Sequence, residues 1–221
     1  MSRSVRFRIG HDPDFPPLNF VENGASRGLV IDIVEQLFRR IGRDAVFVPV
    51  ALAQLETALE TAIDGIAFQG IVPERRARLD FAQPYFDSGG AWFVRTGAPL
   101  PADGARIVTP AAGPLAGEVA RKFPGLRLAK VANYHDALRA VLAGTADAAA
   151  LNQQVGTYLC RRDFADAFTL PDRPFSPVPI AFAVGKGAHG ELLAAFSREL
   201  TQAPDIVAQA KARWLGALGA Q

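Results

Sequence analysis

The 221-residue sequence has little cysteine, no long apolar run and no block of basic charge. Its single cysteine, Cys160, excludes a disulfide within the chain and does not identify the compartment. The apolar stretches fall far short of the ~20 residues that a membrane-spanning helix needs. The 24 Lys and Arg residues nearly balance the 22 Asp and Glu residues. Because no basic run alternates with aromatic residues, the charge pattern argues against nucleic acid as a partner.

Several kinds of chemical site are also missing. The histidines His11, His135 and His189 lie far apart, and none has neighbours at the spacing of a metal site. The sequence contains neither a glycine-rich phosphate loop nor the serine elbow of hydrolases. We therefore expect no metal and no cofactor. His11 beside Asp12 is the one pair that suggests acid–base chemistry, and such a pair is more often structural.

Strand and helix patterns alternate in the first half of the chain. With 49% hydrophobic and 21% charged residues, the chain can bury a core, and its length permits two small domains. Val5–Ile9 and Val46–Val50 have strand patterns, and apolar residues at helical spacing between Val30 and Ile41 predict a helix between them. A further helix is expected at Leu52–Ala62. This β–α–β order predicts a parallel sheet.

The alternation restarts after Thr96–Gly104, a segment rich in Pro, Gly and Ala that is the best domain boundary by composition alone. The elements predicted beyond it are strands Arg106–Thr109, Arg127–Val131, Asp147–Leu151 and Val178–Val184, and helices Leu115–Phe123, Tyr134–Ala143, Gln153–Arg161, Gly190–Thr201 and Asp205–Leu215. The pattern therefore predicts a second α/β lobe.

Four segments carry a family pattern in a fixed order. The most characteristic is Val72–Phe86, in which Val72-Pro73-Glu74-Arg75 is followed by Asp80-Phe81. The others are Asp12–Phe20 with Gly28–Ile33 behind it, Ala137–Ala148, and a final helix pair that ends in Trp214. Together these segments resemble the extracellular solute-binding proteins of polar amino-acid ABC importers, family 3 of the periplasmic binding protein-like receptors.

The resemblance implies a type II periplasmic-binding-protein fold of two lobes, each a parallel-rich sheet flanked by helices. Residues 1–90 plus 184–221 would form the first lobe and residues 91–183 the second. The second includes two hinge strands, near Ala91–Arg95 and Val178–Val184. Ligands of such folds bind where the carboxyl ends of the strands face each other. The lobes are therefore expected to close around a small carboxylate-bearing solute.

The function implied is that of a monomeric receptor, not an enzyme, that delivers its solute to a membrane permease in the periplasm. The given chain shows no export signal, so the resemblance implies that a leader has been removed. One alternative is an enzyme of the cyclohexadienyl dehydratase type, with Asp12 or Asp14 as its acid. Others are a sensor module of a membrane kinase or cyclase and an accessory binding protein of a periplasmic oxidation system.

Arg75 and Phe15 are the first residues that the resemblance assigns to the site. At the position of Arg75 the family binds the ligand's carboxylate with a guanidinium fork, which a lysine does less well. The alternative is a surface arginine paired with Glu74 or Asp80. Phe15 falls where the family packs an aromatic ring against the ligand, and core packing is its alternative.

At other positions the chain departs from the family. Asn152 replaces the aspartate that pairs with an α-ammonium, although an Asn before a helix is also a favoured N-cap. Gly70 replaces a hydroxyl-bearing residue and keeps only its backbone N–H, while Leu52 takes the place of a second aromatic. These changes preserve carboxylate recognition and weaken recognition of an amino group.

Three further residues complete the predicted site. Gly113 lies in a turn before a helix whose N-terminal N–H groups could hold an anion, and the alternative is a routine strand-to-helix turn. Pro114 suits the first position of that helix. Asp12 and Gln69 are polar residues expected near the cleft.

Overall fold

The computed structural model describes residues 6–111 and 113–216, which form two compact units. The first unit contains residues 6–86 and 178–216, and the second contains the described part of residues 87–177. The sequence analysis placed these limits at residues 90 and 184. Val5, expected in the first strand, lies outside the described residues.

The strands in chain order are β1 Arg6–His11, β2 Asp14–Phe15, β3 Asn19–Glu22, β4 Ala25–Arg27, β5 Asp44–Pro49, β6 Gly65–Gly70, β7 Leu79–Phe81, β8 Phe86–Ser88, β9 Gly90–Arg95, β10 Arg106–Pro110, β11 Arg127–Val131, β12 Ala148–Asn152, β13 Phe168–Thr169 and β14 Val178–Gly185. The helices are α1 Leu29–Arg40, α2 Leu55–Ala58, α3 Pro73–Arg76, α4 Leu115–Lys122, α5 Tyr134–Leu142, α6 Gln153–Asp163, α7 Gly190–Gln202 and α8 Asp205–Leu215.

The main sheet of the first unit has the strand order β5-β1-β6-β14-β7. β1 is parallel to β5 and β6, whereas β14 is antiparallel to β6 and β7. Helix α1 buries its apolar face, including Ile33, Leu37 and Phe38. At the other end of the chain, Trp214 of α8 donates its indole N–H to Asp32 of α1 at 2.8 Å. This contact joins the first and last family segments.

The sheet of the second unit has the order β11-β10-β12-β9-β13. β10 is parallel to β11 and β12, and β9 is antiparallel to β12 and β13. Residues 96–104 connect β9 to β10 within this sheet. The boundary suggested there by composition is therefore wrong, because the segment turns the chain between two strands of one core.

The helix expected at Leu52–Ala62 is much shorter than predicted. A 3-10 turn at Leu52–Gln54 leads into the four residues of α2, and Leu55 is the one buried residue of that helix. The N–H groups of Ala62 and Ile63 both donate to the carbonyl of Ala58, which closes the helix. With so little apolar surface to bury, a longer helix has little to stabilise it. Over residues 6–111 and 113–216, no helix is long and apolar enough to cross a membrane.

Candidate functional site

An open pocket of about 580 Å³ lies on the first unit, where β6 ends and α3 begins. Its lining residues are Leu52, Ala53, Glu56, Thr57, Glu60, Gln69, Arg75 and Arg78. The pocket thus brings together three residues that the sequence assigned to the site, namely Leu52, Gln69 and Arg75. It also holds Glu56 and Glu60, which the sequence analysis did not single out.

A cluster of four side chains, Glu56, Gln69, Arg75 and Arg78, forms the polar wall of this pocket. Oε1 of Glu56 accepts hydrogen bonds from Nε of Arg75 at 3.1 Å and Nε2 of Gln69 at 3.2 Å. Oε2 accepts two from Arg78, from Nε at 3.1 Å and Nη2 at 2.7 Å. Each carboxylate oxygen of Glu56 therefore has two donors.

Glu56 is ionised in this cluster. Partial burial acts to raise the pKa of its carboxyl, but the hydrogen bonds and charges of Arg78 and Arg75 outweigh burial and leave the pKa below its ordinary value. Two guanidiniums around one carboxylate leave this cluster with one net positive charge. Because Glu56 is ionised, it is unsuited to act as a proton donor.

The partner of Arg75 differs from both partners considered in the sequence analysis. Glu74 is on the same short helix, and Asp80 instead accepts from Nζ of Lys186 at 2.6 Å and from the N–H of Gly187 at 2.8 Å. Glu56 lies 19 residues before Arg75. No local sequence signal links two residues at that separation, and for this reason the sequence analysis missed Glu56.

Gly70 contributes its carbonyl group to the cluster. This oxygen accepts from Nη1 of Arg75 at 3.3 Å. A Cβ atom at residue 70 would lie 3.2 Å from that nitrogen and 3.0 Å from Cγ1 of Val178. Glycine therefore leaves room for the guanidinium. Leu52, whose surface is 64% exposed, supplies apolar surface at the same pocket.

Phe15 and Asp12 are not among the residues that line this pocket. The ring of Phe15, which is partly exposed, packs edge-on against Phe68 of β6, with 5.9 Å between centroids. Oδ1 of Asp12 accepts from the N–H of Asp14 at 2.9 Å, and its carbonyl accepts from Asn19 at 2.8 Å. Asp12 therefore orders the loop after β1, and the ligand roles of both residues stay predictions.

Asn152 caps α6 in the second unit. Its Oδ1 accepts from the N–H groups of Gln154 at 3.1 Å and Val155 at 3.2 Å. Its Nδ2 donates to Oγ of Ser88 at 2.9 Å, and the Ser88 hydroxyl donates to Oε1 of Gln154 at 2.8 Å. Asn152 therefore has the N-cap role that was one of its two predicted roles, and it lies within a network of neutral side chains.

Gly113 precedes α4 and has a φ angle of 90°, in the left-handed region that favours glycine. Its neighbour Ala112 lies outside the described residues. Pro114 is the N-cap of α4, one position before the first helical position predicted for it. An anion-binding role for this turn stays a prediction.

Comparisons with known proteins agree with this architecture. The family model for bacterial extracellular solute-binding proteins, family 3, matches residues 7–217. The ABC transporter glutamine-binding protein GlnH of Bacillus subtilis is 26% identical over 193 residues, which cover 83% of this chain and 70% of that protein. A probable histidine-binding protein of Campylobacter jejuni is 30% identical over 87 residues, but this match covers only 38% of the chain and 34% of the relative.

Solved structures show the same fold. An ancestral cationic amino acid solute-binding protein is 27% identical, with a TM-score of 0.78 and 95% of each chain covered. A binding component of an ABC transporter from Wolinella succinogenes is 20% identical, with a TM-score of 0.75, 96% of this chain covered and 97% of the other. The two-lobed α/β fold predicted from the sequence is thereby confirmed.

Proposed function

We propose that this chain, which belongs to the bacterial extracellular solute-binding proteins, family 3, is a receptor for a small carboxylate-bearing solute. In this proposal the receptor acts in the periplasm and passes its solute to the permease of an ABC importer. One similar protein is named as a glutamine-binding protein and another as a cationic amino acid solute-binding protein. These names support a solute of amino-acid size.

The guanidinium of Arg75 carries this proposal. It lines an open pocket, and its side chain is 34% exposed. Within the described part of the chain, Nε and Nη1 have hydrogen-bond acceptors, whereas none is present for Nη2. The Nη1–Nη2 edge of the fork is therefore available to a carboxylate, which planar guanidiniums bind through paired hydrogen bonds.

The neutral surroundings of Asn152 favour an organic acid over its amino counterpart. The amide of Asn152 is engaged in the helix cap and with Ser88, and it carries no charge to offset the desolvation of an α-ammonium. Glu56, the carboxylate beside Arg75, already accepts four hydrogen bonds. We therefore propose that hydroxy or keto acids bind more tightly than the matching amino acids.

Calorimetry on two arginine variants tests the proposal. A thermal-shift screen of paired hydroxy, keto and amino acids first selects the probe, because a compound at 100 times its Kd adds roughly 2.7 kcal/mol of stability. We expect Arg75→Lys to weaken binding by about 2–5 kcal/mol, because the fork is lost. Arg76→Lys, on the same helix but exposed, is the matched control and should bind like the wild type. Equal affinities of the two variants would remove Arg75 from the site.

A further inference from the structure

Glu56 occupies the side of Arg75 that a bound carboxylate could otherwise use. A guanidinium presents two paired-donor edges, one formed by Nε and Nη2 and the other by Nη1 and Nη2. Nε of Arg75 is 3.1 Å from Oε1 of Glu56. The first edge is thus partly filled by a carboxylate of the protein itself, and a solute is left with the second.

The same carboxylate also neutralises Arg78. Its contact with Arg78 is the shorter one, at 2.7 Å, although the Arg78 side chain is 63% exposed. Gln69, which is buried, donates to Glu56 as well and holds the carboxylate between the two arginines. Two guanidiniums with one shared counter-ion leave one net positive charge in the cluster, and Glu60, which is exposed in the same pocket, adds a negative charge outside the cluster. A singly charged carboxylate neutralises the charge of the cluster, whereas a second carboxylate would meet no unbalanced cation.

From this arrangement we propose that Glu56 is a specificity-determining residue that restricts the Arg75 pocket to monocarboxylates and disfavours dicarboxylates. This inference rests on the proposed binding of a carboxylate at Arg75. It assigns Glu56 to charge selection and not to direct contact with the solute, because both of its oxygens are already fully hydrogen-bonded. In this proposal, the charge of the solute is the main property by which the pocket selects between monocarboxylates and dicarboxylates.

The test uses acetate and succinate as probes and the side-chain Nε–H signal of Arg75 in NMR spectra as the readout. Glu56→Gln keeps the shape of the side chain but raises the net charge of the cluster by one. We expect it to strengthen acetate binding several-fold and succinate binding about two- to fivefold more than acetate, an effect of the size that one partly exposed charge contact gives. The ratio of the two affinities should therefore change.

Glu35→Gln is the matched control. Glu35 is exposed on α1, pairs with Arg39 at 2.8 Å and is not among the residues that line the pocket. Removing its charge should leave both affinities and their ratio nearly unchanged. Arg78→Gln gives the converse test and leaves Glu56 in place. It lowers the charge of the cluster by one and should therefore weaken succinate binding more than acetate binding.

The outcomes separate this inference from the proposed function. If acetate shifts the Arg75 signal in the wild type, and neither Glu56→Gln nor Arg78→Gln changes the succinate-to-acetate ratio, then charge selection by Glu56 is wrong while carboxylate binding at Arg75 stands. If acetate leaves the Arg75 signal unmoved in the wild type and in Glu56→Gln, carboxylate binding at Arg75 fails and the inference fails with it. A ratio that changes equally in Glu35→Gln also overturns the assignment to Glu56.

Discussion

The two units share one scaffold of three parallel strands, and each contains an equivalent ion pair between arginine and aspartate. In the first, Arg8 of β1 binds Asp64, the residue before β6, through its backbone N–H at 2.7 Å and Nη2 at 2.9 Å. In the second, Arg106 of β10 binds Asp147, the residue before β12, through the same two groups at 2.7 Å and 2.6 Å. Each ion pair therefore joins the first of three parallel strands to the start of the third, and we call each of the two pairs a clamp.

The strand ends of the two units differ in their chemistry. After β6 the first unit carries the charged cluster around Glu56, whereas after β12 the second unit carries the neutral network of Ser88, Asn152 and Gln154. The scaffold is thus duplicated, but its two strand ends carry different groups. This difference shows that the charge of the side chains at a strand end is independent of the architecture of the sheet.

The largest effect should come from breaking either core. Phe182 of the first unit stacks on Phe196 with 4.9 Å between ring centroids, and Phe93 of the second packs so tightly that a Cβ on Gly156 would lie 2.3 Å from its ring. Both phenylalanines are fully buried. Phe182→Ala and Phe93→Ala should each cost about 3–5 kcal/mol of unfolding free energy.

Hydrogen exchange can show where each of these losses falls. We expect Phe182→Ala to expose amides of β1 and β6, and Phe93→Ala to expose amides of β10 and β12, because each unit has its own core. Each variant is the control for the other. The same loss of protection throughout the chain in both variants would show that the two cores unfold as one.

A smaller change would place a charge in the neutral network around Asn152 in the second unit. The family resemblance implies that residue 152 contacts the amino group of the solute. Asn152→Asp keeps the acceptor that caps α6 and adds the missing anion, so preference should shift toward the amino acid by about tenfold, or ~1.4 kcal/mol. Calorimetry with L-glutamine and the corresponding 2-hydroxy acid measures this shift.

Asn133→Asp is the control for that substitution. Asn133 caps α5 in the same unit, where its side chain accepts from the N–H of Asp136. The control should leave the preference unchanged. Tight binding of L-glutamine by the wild type would contradict the argument from Asn152, and it would mean that another carboxylate serves the ammonium.

The sequence was sufficient for most of the long helices and strands, but insufficient for the short helix α2 and for the charged cluster. The bounds of β11 and α8 are those predicted, Arg127–Val131 and Asp205–Leu215, because their patterns are clear. The cap at Asn152 was also predictable, since an N-cap depends on the residues next to it. By contrast, the pairing of Glu56 with Arg75 depends on the position of β6 between α2 and α3. Local pattern carries no information about such a contact.

A pH effect on stability should come from the buried histidine of the first unit. His11 is fully buried, with Nδ1 2.9 Å from the carbonyl of Asp12 and Nε2 2.7 Å from Oγ of Ser26. Burial lowers the pKa of His11 below its ordinary 6.5 and outweighs the backbone hydrogen bond and charge of Asp12, which raise it. The unfolded chain therefore binds more protons at this site than the folded chain as the pH falls below 6.5.

The stability that His11 contributes should thus be complete above pH 6.5 and decline on acidification. Urea unfolding between pH 5 and 7.5 should show this slope in the wild type and a flatter one in His11→Gln, which should also lose about 1 kcal/mol through weaker hydrogen bonds. Phe93→Ala, in the second unit, replaces a side chain that does not titrate, and as the control it should lower stability but keep the slope. An unchanged slope in His11→Gln would contradict the assignment.

The smallest effect should come from the two clamps, Arg8–Asp64 and Arg106–Asp147. Hydrogen bonds from Arg106 lower the pKa of Asp147 from 3.8 to about 2, and those from Arg8 lower the pKa of Asp64. A carboxyl with a lowered pKa stabilises the fold above its ordinary pKa, and the stability is lost as the pH falls below about 4. Asp147→Asn and Asp64→Asn should each reduce the loss of unfolding free energy between pH 5 and pH 3, as measured by urea unfolding.

The effect of salt should differ between the two clamps. The Asp64 side chain is 22% exposed and that of Asp147 is 43% exposed, so salt at 1 M should suppress the effect of Asp147→Asn more strongly. Equal suppression would show that the clamps share one environment despite their different exposure.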